Sequence, residues 1–227
     1  MSNVANYCTR SDAERGFVLL YQLKLRRALN SIGVKGEFCM SDCVKPKRIL
    51  RNEAVLVVVD FQEKIVPAMY GGAGAVSEAV KLVKGFFALG CPVLVTQQYT
   101  KGLGDTVSEI KEAFSTFEHI EKSSFSAMAD AGFRDTLRKT DRQSVVLCGI
   151  EAHVCVMQTA LDMLEDGYGV FLAMDAISSR KERDERPSIM RMVHSGVIPT
   201  TVESVLFELL ENDSKSEMFK TISRTIR

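Results

Sequence analysis

One apolar run, residues 54–60 (AVLVVVD), limits more than any other feature what this chain can fold into. Its apolar residues, most of them β-branched, are uninterrupted by polar ones, which is typical of a strand buried on both faces of a parallel sheet. Parallel strands need long crossover connections, and residues 75–89 follow with apolar residues at helical spacing and a stop at Gly90. The run therefore indicates an α/β fold.

The rest of the chain repeats this alternation of strand and helix. Five further strands are expected, the second of them weaker than the others: 92–96, 117–121, 144–148, 169–174 and 196–200. Helices are expected at 106–114, 129–139, 154–165, 186–194 and 202–210, the last of which closes the domain. The pattern predicts an open six-stranded parallel sheet with helices on both faces, and a ligand crevice where the strand order reverses.

Composition narrows the class of protein. The chain has 227 residues, of which 46% are hydrophobic and 26% charged, with a net charge of zero; this suits one globular domain and gives no indication of nucleic-acid binding. No apolar run approaches the roughly 20 residues that span a bilayer, so we expect no membrane association. The six cysteines show no regular spacing and no secretory signal is evident, which predicts an intracellular protein, cytoplasmic or mitochondrial.

The first 50 residues differ from the rest. They hold nine Lys and Arg against four Asp and Glu, and 17–32 could form an apolar and basic helix. A mitochondrial presequence would have this pattern, although Asp12 and Glu14 are atypical. A flexible leader, or a segment upstream of a second start at Met40, are the alternatives. We therefore expect a basic N-terminal extension at 1–50, serving as a targeting segment or disordered, and a hydrolase domain at 51–227.

Cys155 is the first candidate for chemistry. It falls in the first turn of the helix expected after the fourth strand, where unpaired backbone N–H groups and the helix dipole favour an anion. A thiol placed there has a lowered pKa and becomes a nucleophile at neutral pH. The alternative is a buried structural cysteine.

Two further polar residues follow strands and would share a crevice with Cys155 if strands one and four adjoin. Asp60 would be partly desolvated at the end of its apolar strand, as a general base often is; the alternative is a turn cap. Lys122 would hold the thiolate and stabilise charge on the substrate; the alternative is a solvated surface lysine. A thiol, a base and a cation together suit nucleophilic catalysis at an acyl carbon.

Four segments, VVVDFQEK, EKSSFSA, VVLCGIEAHVCVMQTALDMLEDGY and DAISSR, resemble the isochorismatase-like cysteine hydrolase family. The similarity covers roughly residues 50–210 and is closest to small single-domain members of uncharacterised substrate. It implies a six-stranded parallel sheet, a homo-oligomer, and an Asp-Lys-Cys triad at Asp60, Lys122 and Cys155.

The resemblance also implies a non-proline cis peptide just before the nucleophile, which by position is Ile150–Glu151. It would turn the Glu151 N–H inward, so that this group and the Cys155 N–H form an oxyanion hole. The Glu151 side chain itself has the alternative of an exposed turn residue.

Metal-dependent relatives carry Asp-x-His after the first strand, whereas Gln62 occupies that place here. The three histidines, His119, His153 and His194, do not have the spacing of a metal-ligand cluster, and His153 suits a hydrogen-bonded residue better than a catalytic one. The resemblance therefore implies a site with no metal and no cofactor.

The function expected from these observations is a metal-independent cysteine hydrolase of a small-molecule amide, ureide or similar C–N bond. Isochorismatases proper often lack the cysteine, so that the presence of Cys155 favours attack at an amide-like carbon. A catalytically silent scaffold or binding protein is one rival, because fold does not guarantee turnover. A nucleic-acid-processing protein ranks last, because paired carboxylates for metal-assisted phosphodiester cleavage are absent from the pattern.

Overall fold

The computed structural model describes residues 48–211 and 216–226. The N-terminal extension up to residue 47, with its basic segment 17–32, lies outside the described residues, so its three interpretations stay predictions. Ile49 is fully buried and donates its N–H to Glu208, and the core therefore reaches back at least two residues before Arg51. Across the described ranges, no helix has both the length and the apolarity to cross a bilayer.

Six strands form one sheet in which all the pairings are parallel. They are β1 (Ala54–Val59), β2 (Val93–Gln98), β3 (Ile120–Lys122), β4 (Ser144–Ile150), β5 (Gly169–Ser178) and β6 (Ile198–Thr200). The order β3-β2-β1-β4-β5-β6 reverses direction between β1 and β4, which are direct neighbours. The predicted sheet is confirmed, and strands one and four adjoin, which was the condition for a crevice shared by the candidate residues.

Helices cover both faces of the sheet. In chain order, the first three helices are α1 (Gly72–Ala88) and the short α2 (Thr100–Leu103) and α3 (Ser108–Lys111), which follow β2. The next three are α4 (Ala131–Lys139), α5 (Met157–Glu165) and α6 (Glu182–His194). The last two are α7 (Val202–Leu209) and α8 (Glu217–Thr225). Alternate residues of β1 point to two separate cores: one holds buried residues of α1, α7 and α8, the other those of α4, α5 and α6. The fold class predicted from the alternation is therefore confirmed.

Two expected elements are shorter than the pattern suggested. The third strand was expected at 117–121 but begins at Ile120, because Phe117 makes an edge-to-face contact with Phe114 in a loop cluster. The helix expected at 106–114 covers only Ser108–Lys111, because Thr106 forms a bridge to Gln62.

Two others extend further than expected. The fifth strand runs past Met174 to Ser178, so that Asp175 lies within it and accepts the N–H of Val202. The prediction that 202–210 closes the domain was wrong, because α8 follows and buries Ile222 in the core.

Gly149 determines how β4 approaches the crevice. Its φ is +143°, and a Cβ there would come within 2.4 Å of the Val59 carbonyl oxygen. The register between β4 and β5 shifts at this residue. Only glycine allows β4 to pass this close to β1, just before the chain turns toward Cys155.

We expect Gly149→Ala to lower the free energy of unfolding by about 3 kcal/mol, the combined order of a positive-φ penalty and an overpacked core. Gly74→Ala is a matched control, because Gly74 lies within α1 with nothing near its Cβ position. That change should stabilise the protein by about 0.5–1 kcal/mol. Urea unfolding followed by circular dichroism measures both, and equal effects would contradict the steric argument.

Candidate active site

The three predicted residues Asp60, Lys122 and Cys155 meet at the carboxyl end of the sheet. Asp60 directly follows β1 with a φ of 53°, and Lys122 is the last residue of β3. Cys155 lies beyond β4, in a π-helical turn at Ala152–Val156 that leads into α5. The helix expected to begin at residue 154 is thus preceded by a wider turn, and Cys155 stands two residues before its α-helical part.

Asp60 and Lys122 form a buried ion pair. Lys122 Nζ lies 2.7 Å from Asp60 Oδ2, and the two side chains are 0% (Lys122) and 1% (Asp60) exposed. The other carboxylate oxygen accepts a hydrogen bond from Thr96 Oγ1 at 2.7 Å. Because β2 separates β1 from β3, this pair links two strands that do not touch in the sheet. Lys122 is not the solvated surface lysine of the alternative interpretation.

The ammonium of Lys122 is fully occupied by oxygen atoms. Besides Asp60 it donates to Gln98 Oε1 and to the carbonyl oxygens of Ser124 and Phe125, at 3.0–3.2 Å. An ammonium has three protons, so these four acceptors satisfy it. Buried in this way, Lys122 directly contacts protein oxygen atoms, and the expectation that its charge stabilises the substrate stays a prediction.

Cys155 is 7% exposed and faces Gln98 and Asp60. Its Sγ donates to Gln98 Oε1 at 3.2 Å. The pKa of the Cys155 thiol is raised to about 12, first by burial and then by the Asp60 carboxylate, and this outweighs the charge of Lys122 and the backbone N–H of Glu151, which lower it. The expected lowering of this pKa was therefore wrong: position near a helix start gives no information on depth of burial, and burial dominates here. The resting thiol is neutral at pH 7.

The turn before the nucleophile brings a backbone donor to the sulphur. The Ile150–Glu151 peptide bond is cis, and the backbone N–H of Glu151 is close enough to Cys155 to lower the pKa of its thiol. The Glu151 carbonyl oxygen accepts the N–H groups of Val154 and Val156, which closes the turn. The turn therefore brings the Glu151 N–H near Cys155, and the oxyanion hole expected from these two residues stays a prediction.

Side chains around the turn hold it to the end of β5 and the residues that follow. Glu151 Oε2 accepts Arg180 Nε at 2.8 Å, and His153 Nδ1 lies 2.9 Å from Ser179 Oγ. The carboxylate of Glu151 is thus a pairing partner and not a free turn residue. His153 is a hydrogen-bonded residue of the rim, in agreement with the sequence interpretation.

Gln62 fills the position where metal-dependent relatives have a histidine. Its side chain is fully buried; Nε2 donates to the carbonyl oxygens of Gln98 and Gly104, and Oε1 accepts the Gln98 N–H. Among the residues that the structure describes, no three His, Cys, Asp or Glu side chains gather as metal ligands. Gln62 has a structural task, which is to fix the end of β2.

Sequence reasoning missed Gln98 and Thr96. Both belong to β2, which was expected to end at residue 96, so that Gln98 fell in a loop. Three exposed aromatic residues were also overlooked: Tyr70, Tyr99 and Phe125, which are 62%, 58% and 53% exposed. The backbones of Tyr99 and Phe125 bond to Lys122, so two of these residues border the site. Polar strand ends elsewhere gave Asp60 and Lys122, and the same signal in β2 would have indicated Gln98.

Comparison with known proteins agrees with this geometry. The family model described as the isochorismatase domain matches residues 54–204. Isochorismatase domain-containing protein 2 of Danio rerio is 37% identical over 79% of this chain and 89% of its own length. The solved structure of a protein named MAR1 ribonuclease, from Caenorhabditis elegans, is 36% identical, with a TM-score of 0.73 over 79% of this chain and 92% of that one. The YcaC product of Escherichia coli, described as an octameric hydrolase of unknown specificity, shares the fold at 22% identity and a TM-score of 0.75, over 80% and 91% of the two chains. The range matched by the family model, residues 54–204, contains β1, the switch point between β1 and β4, and the turn that carries Cys155. The chain belongs to the isochorismatase family.

Proposed function

We propose that the protein is a cysteine hydrolase that cleaves a C–N bond of a small-molecule amide, ureide or related compound, without a metal or another cofactor. The observation that carries the proposal is a buried cluster at the switch point. In it, Lys122 contacts Asp60 directly and is linked to Cys155 through Gln98. Burying an ion pair beside a thiol is costly, and a thiol whose pKa is raised by burial beside charged groups, as that of Cys155 is, is typical of functional sites. Family membership and the hydrolase named among the fold neighbours support the same reaction class.

In the first half of the reaction, Cys155 attacks the carbonyl carbon of the substrate. Because the thiol is neutral at rest, its proton passes to the Asp60 carboxylate as the S–C bond forms. The carbonyl electron pair moves to the oxygen, which the N–H groups of Glu151 and Cys155 stabilise. Collapse of this intermediate breaks the C–N bond, and the proton on Asp60 goes to the leaving nitrogen.

In the second half, water hydrolyses the thioester. Asp60 takes a proton from the attacking water, the same oxyanion donors serve again, and the S–C bond breaks to release the acid. The proton on Asp60 returns to sulphur. Throughout, Lys122 holds the carboxylate in place and offsets the negative charge that moves between sulphur and Asp60.

A small substrate fits the narrow access to Cys155, which is only 7% exposed. The exposed aromatic residues Tyr99 and Phe125 next to Lys122 suit contact with an apolar substrate group or with another subunit. We propose a homo-oligomer for this reason, and the octamer named for the fold neighbour supports it.

Ribonuclease activity is the second candidate, and the observation that favours it is the name ribonuclease carried by the 36% identical Caenorhabditis elegans protein. We rank it lower because a buried thiol suits attack at a small acyl carbon better than at a bulky polyanion. A catalytically silent protein of the same fold remains the rival from another class.

A library of amides, ureides and related C–N compounds should contain substrates for the wild-type protein, with Cys155→Ser inactive and correctly folded. Product amine or ammonia measures turnover, and dialysis against a chelator should leave it unchanged. A structured RNA is tested in parallel. Turnover that persists in Cys155→Ser, or RNA cleavage in place of C–N cleavage, would refute the proposed reaction.

The reactivity of Cys155 should rise with pH. Its pKa is raised to about 12, so the thiolate fraction increases about tenfold for each pH unit between about 7 and 10. Iodoacetamide labelling, followed by peptide mass spectrometry, should show that rise and should modify Cys155 before the fully buried Cys148. A plateau above pH 7 would mean that the thiol is already ionised.

Lys122→Met should slow the labelling of Cys155 at pH 9 by about tenfold or more, because the charge of Lys122 lowers the thiol pKa. The variant should also lose about 3–5 kcal/mol of stability, since it leaves a buried carboxylate unpaired. The double variant Asp60→Asn/Lys122→Met removes both charges and should recover part of that loss. An unchanged labelling rate in folded Lys122→Met would place the lysine outside the catalytic cluster.

Light scattering of the purified protein should give a mass above the 25.2 kDa of one chain. Replacing Phe125 by Ser should weaken the assembly if this aromatic ring lies in the interface, and Met190→Ser, at an exposed apolar site on α6, is the matched control. A monodisperse monomer would refute the oligomer.

A further inference from the structure

Gln98, the last residue of β2, contacts both the nucleophile and the lysine. Its Oε1 lies 3.2 Å from Cys155 Sγ and 3.2 Å from Lys122 Nζ. An ammonium can only donate, and a neutral thiol carries a proton that it donates. Two donors on one side require an oxygen between them, so the orientation of the Gln98 carboxamide is fixed, with Oε1 toward the thiol.

The backbone of Gln98 is held on both sides by one buried side chain. Gln62 Oε1 accepts the Gln98 N–H at 2.8 Å, and Gln62 Nε2 donates to the Gln98 carbonyl oxygen at 3.1 Å. The next residue, Tyr99, donates its N–H to the Lys122 carbonyl oxygen. The carboxamide therefore projects from a rigid position, as a residue that orients reacting atoms must.

The opposite end of the carboxamide is the donor Nε2. Within residues 48–211 and 216–226 it makes no hydrogen bond, whereas Gln97 Nε2 next to it bonds to Asp105 and Thr106. Gln98 is only partly buried, unlike Gln97, which is fully buried. Its NH2 group is thus available to a molecule that enters the crevice.

We infer that Gln98 is a fourth catalytic residue: Oε1 accepts a hydrogen bond from the resting thiol, and Nε2 donates one to an acceptor atom of the substrate, such as a carbonyl oxygen. This inference rests on the proposed function, because it concerns the same nucleophile. When the substrate is bound, the S–H turns from Gln98 Oε1 to the Asp60 carboxylate, which takes the proton as the S–C bond forms. Lys122 keeps Oε1 in place during this step, so the amide does not rotate.

Thiol labelling tests both halves of the inference without knowledge of the substrate. Gln98→Glu places a carboxylate beside the sulphur, which disfavours the thiolate; labelling of Cys155 at pH 8 should fall by about tenfold or more. Gln98→Met removes the NH2 group while keeping the length of the side chain. Its labelling should be compared with two reagents: iodoacetamide, which presents a carbonyl oxygen, and iodomethane, which presents no oxygen or nitrogen acceptor.

The ratio of the two rates removes most of the effect of the thiol pKa, since both reagents need the thiolate. In Gln98→Met this ratio should fall about three- to tenfold, the size of one neutral hydrogen bond. Gln97→Met is the control, because it changes the neighbouring glutamine on the opposite face of β2; it should lower stability and leave the ratio unchanged. Circular dichroism verifies that each variant is folded.

Two results would overturn the inference: an unchanged labelling rate in folded Gln98→Glu, or equal rate ratios in Gln98→Met and Gln97→Met. Both leave the proposed function intact as long as Cys155 is the thiol that reacts first. If wild-type Cys155 resists both reagents while the other thiols react, the proposed nucleophile itself is wrong. The two failures are thus separable in one set of measurements.

Discussion

The buried ion pair between Asp60 and Lys122 is the interaction on which the rest of the site depends. Neither charge could stay this deeply buried without the other, because an unpaired buried ion costs several kcal/mol. Their 2.7 Å contact spans β2 and so ties the end of β1 to the end of β3. Thr96 and Gln98, both in β2, complete the ring of acceptors and donors around the pair. The position of the Cys155 thiol depends on this cluster as well, because its Sγ donates a hydrogen bond to Gln98.

Much of the fold was readable from the chain because burial on two faces leaves an uninterrupted apolar strand. Ala54–Val59 is fully buried on both sides, and its pattern predicted both the strand and the parallel sheet. The same reasoning placed Asp60, Lys122 and Cys155 at one edge. By contrast, α8 is short and amphipathic, and it belongs to the domain only because Ile222 packs into a core formed by residues distant in sequence. The local sequence pattern does not predict that packing.

The charge state of the site was harder to predict from the sequence than the identity of the residues that form it. A helix start and a nearby lysine both favour a thiolate, yet burial and the Asp60 carboxylate outweigh them at Cys155. Depth of burial is a property of the whole fold, and a sequence window does not contain it. Gln98 was missed for a related reason: glutamine is common in loops, and only the folded structure pairs it with Lys122 across β2 and β3 and brings it into contact with Cys155.

Two ion pairs lie close to the nucleophile, and each has a net charge of zero. Asp60 is balanced by Lys122, Glu151 by Arg180, and the thiol between them is uncharged at rest. Among the described residues, these two pairs present no excess of either sign to an arriving molecule, so they are no source of the long-range attraction that draws ions into charged clefts. Added salt would therefore not change the rate of encounter with the crevice through these pairs.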